Sequence, residues 1–432
     1  VNLSYENSGS VQDFVGKEDV FFAPVLRWDI SPKTQATFEL EYNHSHLGSG
    51  LSVIPVINDK PLRVPRSRNY DEYSPTTVET VFGSFNWSHQ FSDDWALKHR
   101  FSVNHFSYKN DIQVVPIATG PHDGYGDPNN TTPVGFTSRR KQTQVQPTED
   151  NTYATNLDVV GHFDTWDLKH TLLLGGDYYH LANTTDLRYD SVYSRLSFID
   201  NFNPVHHGTS FGFPVYNWTP GAFTSGPPSF GLSPTKSVTS IDQFGLFIQD
   251  QIKLPYDLYV TGGIRWQYIH NRKDDINYNP DRNLSFASST TEGSTQDAVT
   301  PRVGILWNPE KWLSLYANYT ESFGVNTGKT FVRNKVGKII DPTSATQYEG
   351  GLKLEFFGGK LRANFTYYDL TKTNVAVADP NRTHDCGAGP GDCFVAVGEV
   401  RSRGPEVDIQ GEILPGWNLI ATWANIDIRT TK

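Results

Sequence analysis

The sequence predicts an all-β protein, a transmembrane antiparallel β-barrel with short periplasmic turns and long extracellular loops. Segments of roughly 10–16 residues alternate apolar and polar side chains, which is longer than the usual soluble strand of about 5–6 residues. A short turn and a long polar loop join these segments in regular alternation, as in outer-membrane barrels. Aromatic residues make up 13% of the chain, and tryptophans lie near segment ends, where an interfacial girdle is expected.

The connections alternate in length along almost the whole chain. The short turns include Ser31–Lys33, Ser92–Asp94, Thr165–Asp167, Pro255–Asp257, Pro309–Lys311, Gly358–Lys360 and Pro415–Gly416. The long loops are Leu47–Thr77, Lys109–Asp150, Ala182–Ser237, Asn271–Asp297, Gly324–Ser344 and Asn374–Cys393. A soluble sheet has little reason to extend every second connection far out at the same end, so this alternation favours the barrel.

The strands follow from the period-two pattern. In Tyr259–Ile269 the apolar Val260 and Ile264 fall on one face, whereas Thr261 and Arg265 fall on the other, because successive strand side chains point to opposite faces. The pattern predicts about fifteen strands, near 1–7, 19–30, 33–46, 78–91, 94–108, 151–164, 167–181, 238–253, 256–270, 298–308, 311–322, 345–357, 360–373, 394–414 and 417–428.

An odd number of strands does not close a single-chain bacterial barrel, whose strand number is even. An open edge in hydrocarbon would also leave backbone groups unpaired, at a cost of several kcal/mol each. The chain begins at Val1 and contains no methionine and no export signal. We therefore expect a processed or partial chain, with further strands beyond one or both of its ends.

Composition narrows the function classes. The formal net charge of −10 argues against a nucleic-acid partner, which requires a basic surface. The mean hydropathy of −0.48 is compatible with a barrel, because only the outward face of each strand contacts lipid. No run of 18 or more apolar residues occurs, which excludes transmembrane helices. Periodicity alone leaves two alternatives open, a passive porin and a soluble surface β-protein such as a lectin or adhesin.

Several ordered stretches resemble the TonB-dependent outer-membrane receptors, in particular the siderophore-receptor branch. These stretches are Phe244–Gln251, Thr261–Trp266, Thr300–Gly304, Leu315–Phe323, Gln347–Lys353, Gly359–Asp369, Val400–Asp408 and Leu414–Leu419. Each motif is weak by itself, but their succession follows the order of the family's barrel along essentially the whole chain. The sequence departs from the family pattern at Pro405, where we expect a local bulge.

The resemblance implies a 22-stranded barrel, of which residues 1–432 form a part that starts at the third strand. The N-terminal plug domain and the last strands are then absent from this chain. The implied function is binding of a ferric siderophore at the extracellular loops and TonB-energised import through the bacterial outer membrane. The implied partners are the TonB inner-membrane complex, which contacts the absent plug segment, and outer-membrane lipid and lipopolysaccharide. No covalently bound cofactor is expected.

Candidate ligand-binding residues lie in two long loops. Aromatic residues exposed to water usually need a partner, and arginines pair with anionic chelates. The candidates are Arg188, Tyr189, Tyr193, Phe198, Phe211, Phe213, Tyr216 and Trp218 in one loop, and Tyr125, Arg139 and Arg140 in the other. The alternative is that the aromatic residues pack on one another and that the arginines are solvated or neutralise lipopolysaccharide phosphates.

The two cysteines, Cys386 and Cys393, lie close together in one loop and predict a disulfide, as expected in an oxidising compartment. A metal site with His384, Asp385 and Asp392 is the weaker alternative, because the spacing matches no zinc pattern. The chain contains no nucleophile elbow, HExxH motif or phosphate loop, so it gives no support to an enzyme.

Overall fold

The computed structural model describes residues 1–48, 56–57, 60–61, 63–71, 75–110, 113–116, 138–190, 198–200, 206, 235–278, 286–326, 328–333, 335–386 and 391–431. Within these ranges it describes the backbone alone at 56–57, 110, 113–116, 138–145, 187–190, 198–200, 335–336 and 397. Among the described residues, no helix has the length and apolar character needed to cross a membrane.

The described residues are almost entirely β-structure, with a single 3₁₀ turn at Pro255–Asp257. The strands are β1 (Asn2–Gly9), β2 (Gly16–Ala23), β3 (Val25–Ser31), β4 (Thr34–Leu47), β5 (Val56–Ile57), β6 (Lys60–Pro61), β7 (Thr76–Gln90), β8 (Trp95–Asn110), β9 (Gln113–Pro116), β10 (Ser138–Val145), β11 (Thr148–Thr165), β12 (Leu168–Asp190), β13 (Phe198–Asp200), β14 (Thr235–Leu254), β15 (Leu258–Tyr278), β16 (Phe286–Glu310), β17 (Leu313–Gly324), β18 (Lys329–Val332), β19 (Lys335–Ile339), β20 (Thr343–Phe356), β21 (Leu361–Ala378), β22 (Phe394–Leu414), β23 (Trp417–Ala424) and β24 (Asp427–Thr430).

The main sheet contains 20 of these strands and is antiparallel throughout. Three of these strands, β9, β10 and β13, do not belong to the series of strands that would cross the membrane. Of the remaining 17, β2 and β3 form one membrane span divided by a break, and so do β23 and β24. The sheet therefore contains fifteen spans. The prediction of about fifteen antiparallel strands is therefore confirmed. Within the described residues the first and last spans do not pair with each other.

Two prolines interrupt the ladder, because proline has no N–H to donate. Pro24 separates β2 from β3, and its carbonyl accepts a bond from the Leu40 N–H at 3.2 Å. Pro405 lies opposite the break between β23 and β24, where Glu406 pairs with Ala424. The register is the same on both sides of this break and continuous towards β21. The prediction of a bulge at Pro405 is therefore wrong. The proline only interrupts the hydrogen-bond ladder there, without a change of register.

The two faces of the sheet differ in polarity and exposure. On β14, β15 and β16 the apolar face carries Leu246, Ile264 and Val303, which are 60%, 48% and 54% exposed. The opposite face of the sheet carries Arg265 on β15 and Asp177 on β12, whose side chains are only partly exposed. A soluble β-sandwich would bury its apolar face, so this arrangement is that of a barrel with an outward apolar surface and a polar inner wall.

The short turns form as predicted, and we call their end of the sheet the short-turn end. The β14–β15 turn places Tyr256 and Asp257 at φ 64° and 52°, and the β20–β21 turn places Gly358 and Gly359 at φ 67° and 87°. Glycine adopts this left-handed region without steric cost. Gly416 does the same in the turn between β22 and β23, at φ 80°.

Several strands continue far beyond the membrane at the other end, which we call the long-loop end. β12, β15 and β16 contain 23, 21 and 25 residues, whereas about 9–11 suffice to cross a bilayer. Much of the loop predicted at Asn271–Asp297 is therefore strand. The sequence missed these extensions because both faces are polar above the membrane, so the alternation disappears while the backbone pairing continues.

Candidate functional site

The backbone brings five of the predicted ligand residues together at the long-loop end. Strand β10 pairs with the outer part of β12, with Gln144 opposite Tyr189 and Val145 opposite Arg188. It also pairs with β13, with Arg140 opposite Phe198 and Arg139 opposite Ile199. Arg139, Arg140, Arg188, Tyr189 and Phe198 thus lie on one small sheet extension, which we call the β10 arm. The other candidates, Tyr125, Tyr193, Phe211, Phe213, Tyr216 and Trp218, lie outside the described residues.

A second structured unit at this end joins the β18–β19 hairpin to the disulfide loop between β21 and β22. Cys386 and Cys393 are linked by a disulfide, with Cα atoms 5.3 Å apart, and both are buried. The His384 ring stacks on Phe331 of the hairpin, with ring centroids 3.9 Å apart and an interplanar angle of 3°. His384 Nδ1 also lies 2.7 Å from Asp379 Oδ2. We call this group of residues the disulfide unit.

A buried asparagine fastens the neighbouring loops to each other. The Asn326 side-chain amide donates to the carbonyl oxygens of Asp341 and Asn374, both at 2.7 Å. The Asn374 amide donates to the Pro342 carbonyl at 2.9 Å. Sequence reasoning did not find Asn326, because an asparagine in a polar loop carries no local signal and its partners are distant in the chain. These hydrogen bonds therefore hold the connection between β17 and β20 against the outer part of β21.

Hydrogen bonding sets the charge state of this unit. The hydrogen bond with His384 lowers the pKa of the Asp379 carboxyl below its usual range, and the backbone N–H of Asn381 lowers it further. Asp379 therefore remains ionised over the whole physiological pH range. In the described part of the chain, Cys386, Asp392 and Cys393 form one group of metal-ligand residue types. Both of its sulfurs are in the disulfide and are not thiolates.

The inner wall carries ion pairs that run along its surface. The Arg265 guanidinium on β15 crosses the intervening strand β14 to reach Asp177 on β12, with contacts of 2.6 and 2.9 Å. Arg100 on β8 donates to Asn156 and Asp158 on β11 at 2.8 and 3.1 Å. A cavity of about 390 Å³ lies beside this second group. The inner wall is therefore charged and accessible to water.

The comparisons with known proteins agree with this architecture. The family model "TonB dependent receptor-like, beta-barrel" matches residues 27–431. The chain is 27% identical to the metal-pseudopaline receptor of Pseudomonas aeruginosa strain PAO1, covering 100% of this chain and 54% of the relative. It is 24% identical to the ferrichrome outer membrane transporter/phage receptor of Escherichia coli K12, covering 95% of this chain and 51% of the relative.

Solved structures share the fold. The siderophore receptor PiuA from Acinetobacter baumannii superposes with a TM-score of 0.71 at 19% identity, over 99% of this chain and 58% of that one. The ferripyoverdine receptor of Pseudomonas aeruginosa gives a TM-score of 0.73 at 18% identity, over 99% and 51%. The chain spans about half the length of the curated relatives it matches. The chain belongs to the TonB-dependent receptor β-barrel family, whose barrels lie in the outer membrane of Gram-negative bacteria.

Proposed function

We propose that this protein binds a ferric siderophore at its long-loop end and imports it across the outer membrane with energy from TonB. The observation that carries the proposal is the match of residues 27–431 to the receptor β-barrel family, together with the similarity of 95% of the chain to the ferrichrome outer membrane transporter. Residues 1–432 would supply part of the barrel of a longer receptor, whose plug domain contacts the TonB complex. A covalently bound cofactor has no role in this proposal.

The β10 arm supplies chemistry that suits such a ligand. Guanidinium groups bind carboxylates through paired charge-assisted hydrogen bonds, and aromatic faces add apolar contact area. The arm unites Arg139, Arg140 and Arg188 with Tyr189 and Phe198 on paired strands. We therefore assign the first contact with an anionic chelate to this arm.

Uptake of radiolabelled metal chelates by a strain that lacks the chromosomal receptor tests the function. The full-length protein should restore uptake of at least one chelate, and collapse of the inner-membrane proton gradient should abolish it. Uptake that persists without the gradient would support a passive porin and contradict the proposal.

The binding residues are tested with the triple variant Arg139→Ala, Arg140→Ala, Arg188→Ala. Loss of charge-assisted hydrogen bonds, worth about 1.5–3 kcal/mol each, should weaken chelate binding at least tenfold. Lys141→Ala is the matched control, because Lys141 lies on the same strand but pairs with Pro116 of β9. An equal loss of chelate affinity in both variants would show that the three arginines have no specific role in binding.

A second candidate is a chelate that carries a metal other than iron, and the similarity to the metal-pseudopaline receptor, at 27% identity, favours it. The same strain, supplied with one chelator loaded with iron, nickel, cobalt or zinc, distinguishes the two. Uptake restricted to the iron complex would support the siderophore receptor. Uptake of several metals with one chelator would support the broader metal-chelate receptor.

A further inference from the structure

The connection between β17 and β20 folds inward over the opening of the barrel at the long-loop end, which we call the mouth. Asn326, at the start of this connection, donates its backbone N–H to the Gln296 side-chain oxygen at 3.3 Å. Lys329 on β18 forms an ion pair with Glu292. Register and the period-two alternation place Gln296 and Glu292 on the face of β16 that continues the inner wall. The connection therefore lies on the inner side of β16.

The burial of inner-wall residues at this level agrees with such a cover. Ile269 of β15 lies opposite Gln296 and on the same face of β15 as Arg265. Ile269 and Gln296 are only 6% and 9% exposed. Asn326 and Ile340, at the two ends of the connection, are each 6% exposed. Because a wall that faces water buries an apolar side chain only where another segment covers it, the connection covers the β15–β16 side of the mouth.

The β18–β19 hairpin within this connection is fastened to β22 and to the disulfide unit. The base of the hairpin closes where the Ile340 N–H donates to the Gly328 carbonyl at 2.9 Å. Gly328 lies so close to β22 that an added Cβ would be 3.1 Å from Phe394 Cγ. A Cβ added at Gly337 of β19 would be 2.7 Å from Cys386 Cβ. Together with the aromatic stack of the disulfide unit, these close contacts hold the hairpin in one position.

We propose that the β18–β19 hairpin is a fixed cover over the β15–β16 side of the mouth, and that solutes reach the inner wall on the side formed by β8, β11 and β12. An opening movement would have to break the contacts of Asn326 and Lys329 and the packing on the disulfide unit together. Under the proposed function, a chelate then enters on the side of the β10 arm, which is paired with the outer part of β12. The cover itself depends on the outer-membrane location of the family and is independent of the transported ligand.

The test measures thiol labelling of the full-length receptor in intact cells, with a polyethylene glycol maleimide too large for porins and with N-ethylmaleimide as the small reference reagent. Ala298→Cys places a thiol on the inner face of β16, one inner position closer to the membrane than Gln296. Ala154→Cys, on the inner face of β11, is the matched control, because both alanines are half-buried. The ratio of the bulky to the small labelling rate should be at least tenfold lower for Ala298→Cys. A hairpin that opens often would give equal ratios and would overturn the proposal.

Two further variants separate a cover from a hairpin that leaves the mouth open. A two-residue Gly-Gly turn in place of residues 329–339 should raise the labelling ratio of Ala298→Cys to that of Ala154→Cys. Cys386→Ser with Cys393→Ser removes the disulfide and should raise the ratio of Ala298→Cys at least threefold. An unchanged ratio for Ala298→Cys in either variant, with the control ratio preserved, would overturn the proposal. The labelling rates require no transport, so failure of the proposed function would leave this result unaffected.

Discussion

Single residues on the inner wall decide how charges cross the strands. Gly245 on β14 lies between Arg265 and Asp177. Because glycine has no side chain, it leaves room for the Arg265 guanidinium to reach Asp177. A Cβ added at Gly245 would lie 2.2 Å from Arg265 Nη2. Sequence inspection identified Arg265 as an inner-wall residue, but the partner two strands away and the need for glycine between them follow only from the register.

We predict that Gly245→Ala breaks the Arg265–Asp177 pair and leaves the barrel folded, because the end of a long side chain can move aside. The pair is partly solvated, with the side chains 28% and 24% exposed, so the loss should be about 1 kcal/mol. Urea unfolding in lipid vesicles measures it. In an Arg265→Ala background the substitution should cost nothing further, and an additive cost would contradict this explanation.

The pH dependence of the disulfide unit follows from Asp379. The pKa of Asp379 is lowered in the folded protein. The ionised carboxylate therefore stabilises this loop fully at pH values above the ordinary aspartate pKa, and this contribution is lost as the pH falls through the lowered pKa. A nitroxide at the exposed Arg382 should therefore stay immobile from neutral pH to about pH 5 and gain mobility below about pH 4. In Asp379→Asn the mobility should be higher at neutral pH and insensitive to acid. Equal mobility of the wild type and Asp379→Asn at neutral pH would contradict the assignment.

At the scale of elements, the membrane-spanning parts and the outer parts of the strands obey different rules. Within the membrane one face meets lipid and the other meets water, which produces the alternation that predicted the spans. Above the membrane both faces meet water, so β15 continues to Tyr278 and β16 starts at Phe286 without a periodic signal. There, backbone pairing and cross-links such as the disulfide unit maintain the structure.

We predict that replacing both cysteines, Cys386→Ser with Cys393→Ser, releases the disulfide loop without unfolding the barrel. Disulfide removal typically costs about 2–4 kcal/mol, here confined to one loop, so protease cleavage within 379–393 should accelerate at least tenfold. The barrel's melting temperature should remain within about 2 °C. Phe331→Ala should give a smaller acceleration, because it removes only the stack on His384. Cleavage at the wild-type rate in the double variant would show that the hydrogen bonds alone hold the loop.

At the scale of the whole molecule, the apolar surface faces outward and the charged surface faces inward. The outward tryptophans at both ends, such as Trp307, Trp417 and Trp423, are exposed and bound the apolar band. This inside-out arrangement excludes the soluble lectin or adhesin that periodicity had left open, because such a protein would bury the apolar face.

The arrangement predicts a strong asymmetry between two arginine substitutions. Leu246→Arg places a charge in the middle of the apolar band and should destabilise the barrel by about 2–4 kcal/mol in bilayers. Thr261→Arg, on the polar face of the adjacent strand, should cost less than about 1 kcal/mol, because water solvates the inner wall. Reversible unfolding in vesicles compares the two, and equal losses would contradict the assignment of faces.

Local patterns along the chain were sufficient to predict the spans, their two faces, the short turns and the family, because each depends on neighbouring residues and on the solvent that each face meets. The bond from Asn326 to Asn374 and the crossing of Arg265 to Asp177 required the folded structure. These contacts depend on the register between segments that are far apart in the chain, and one strand carries no information about the residue that will lie beside it.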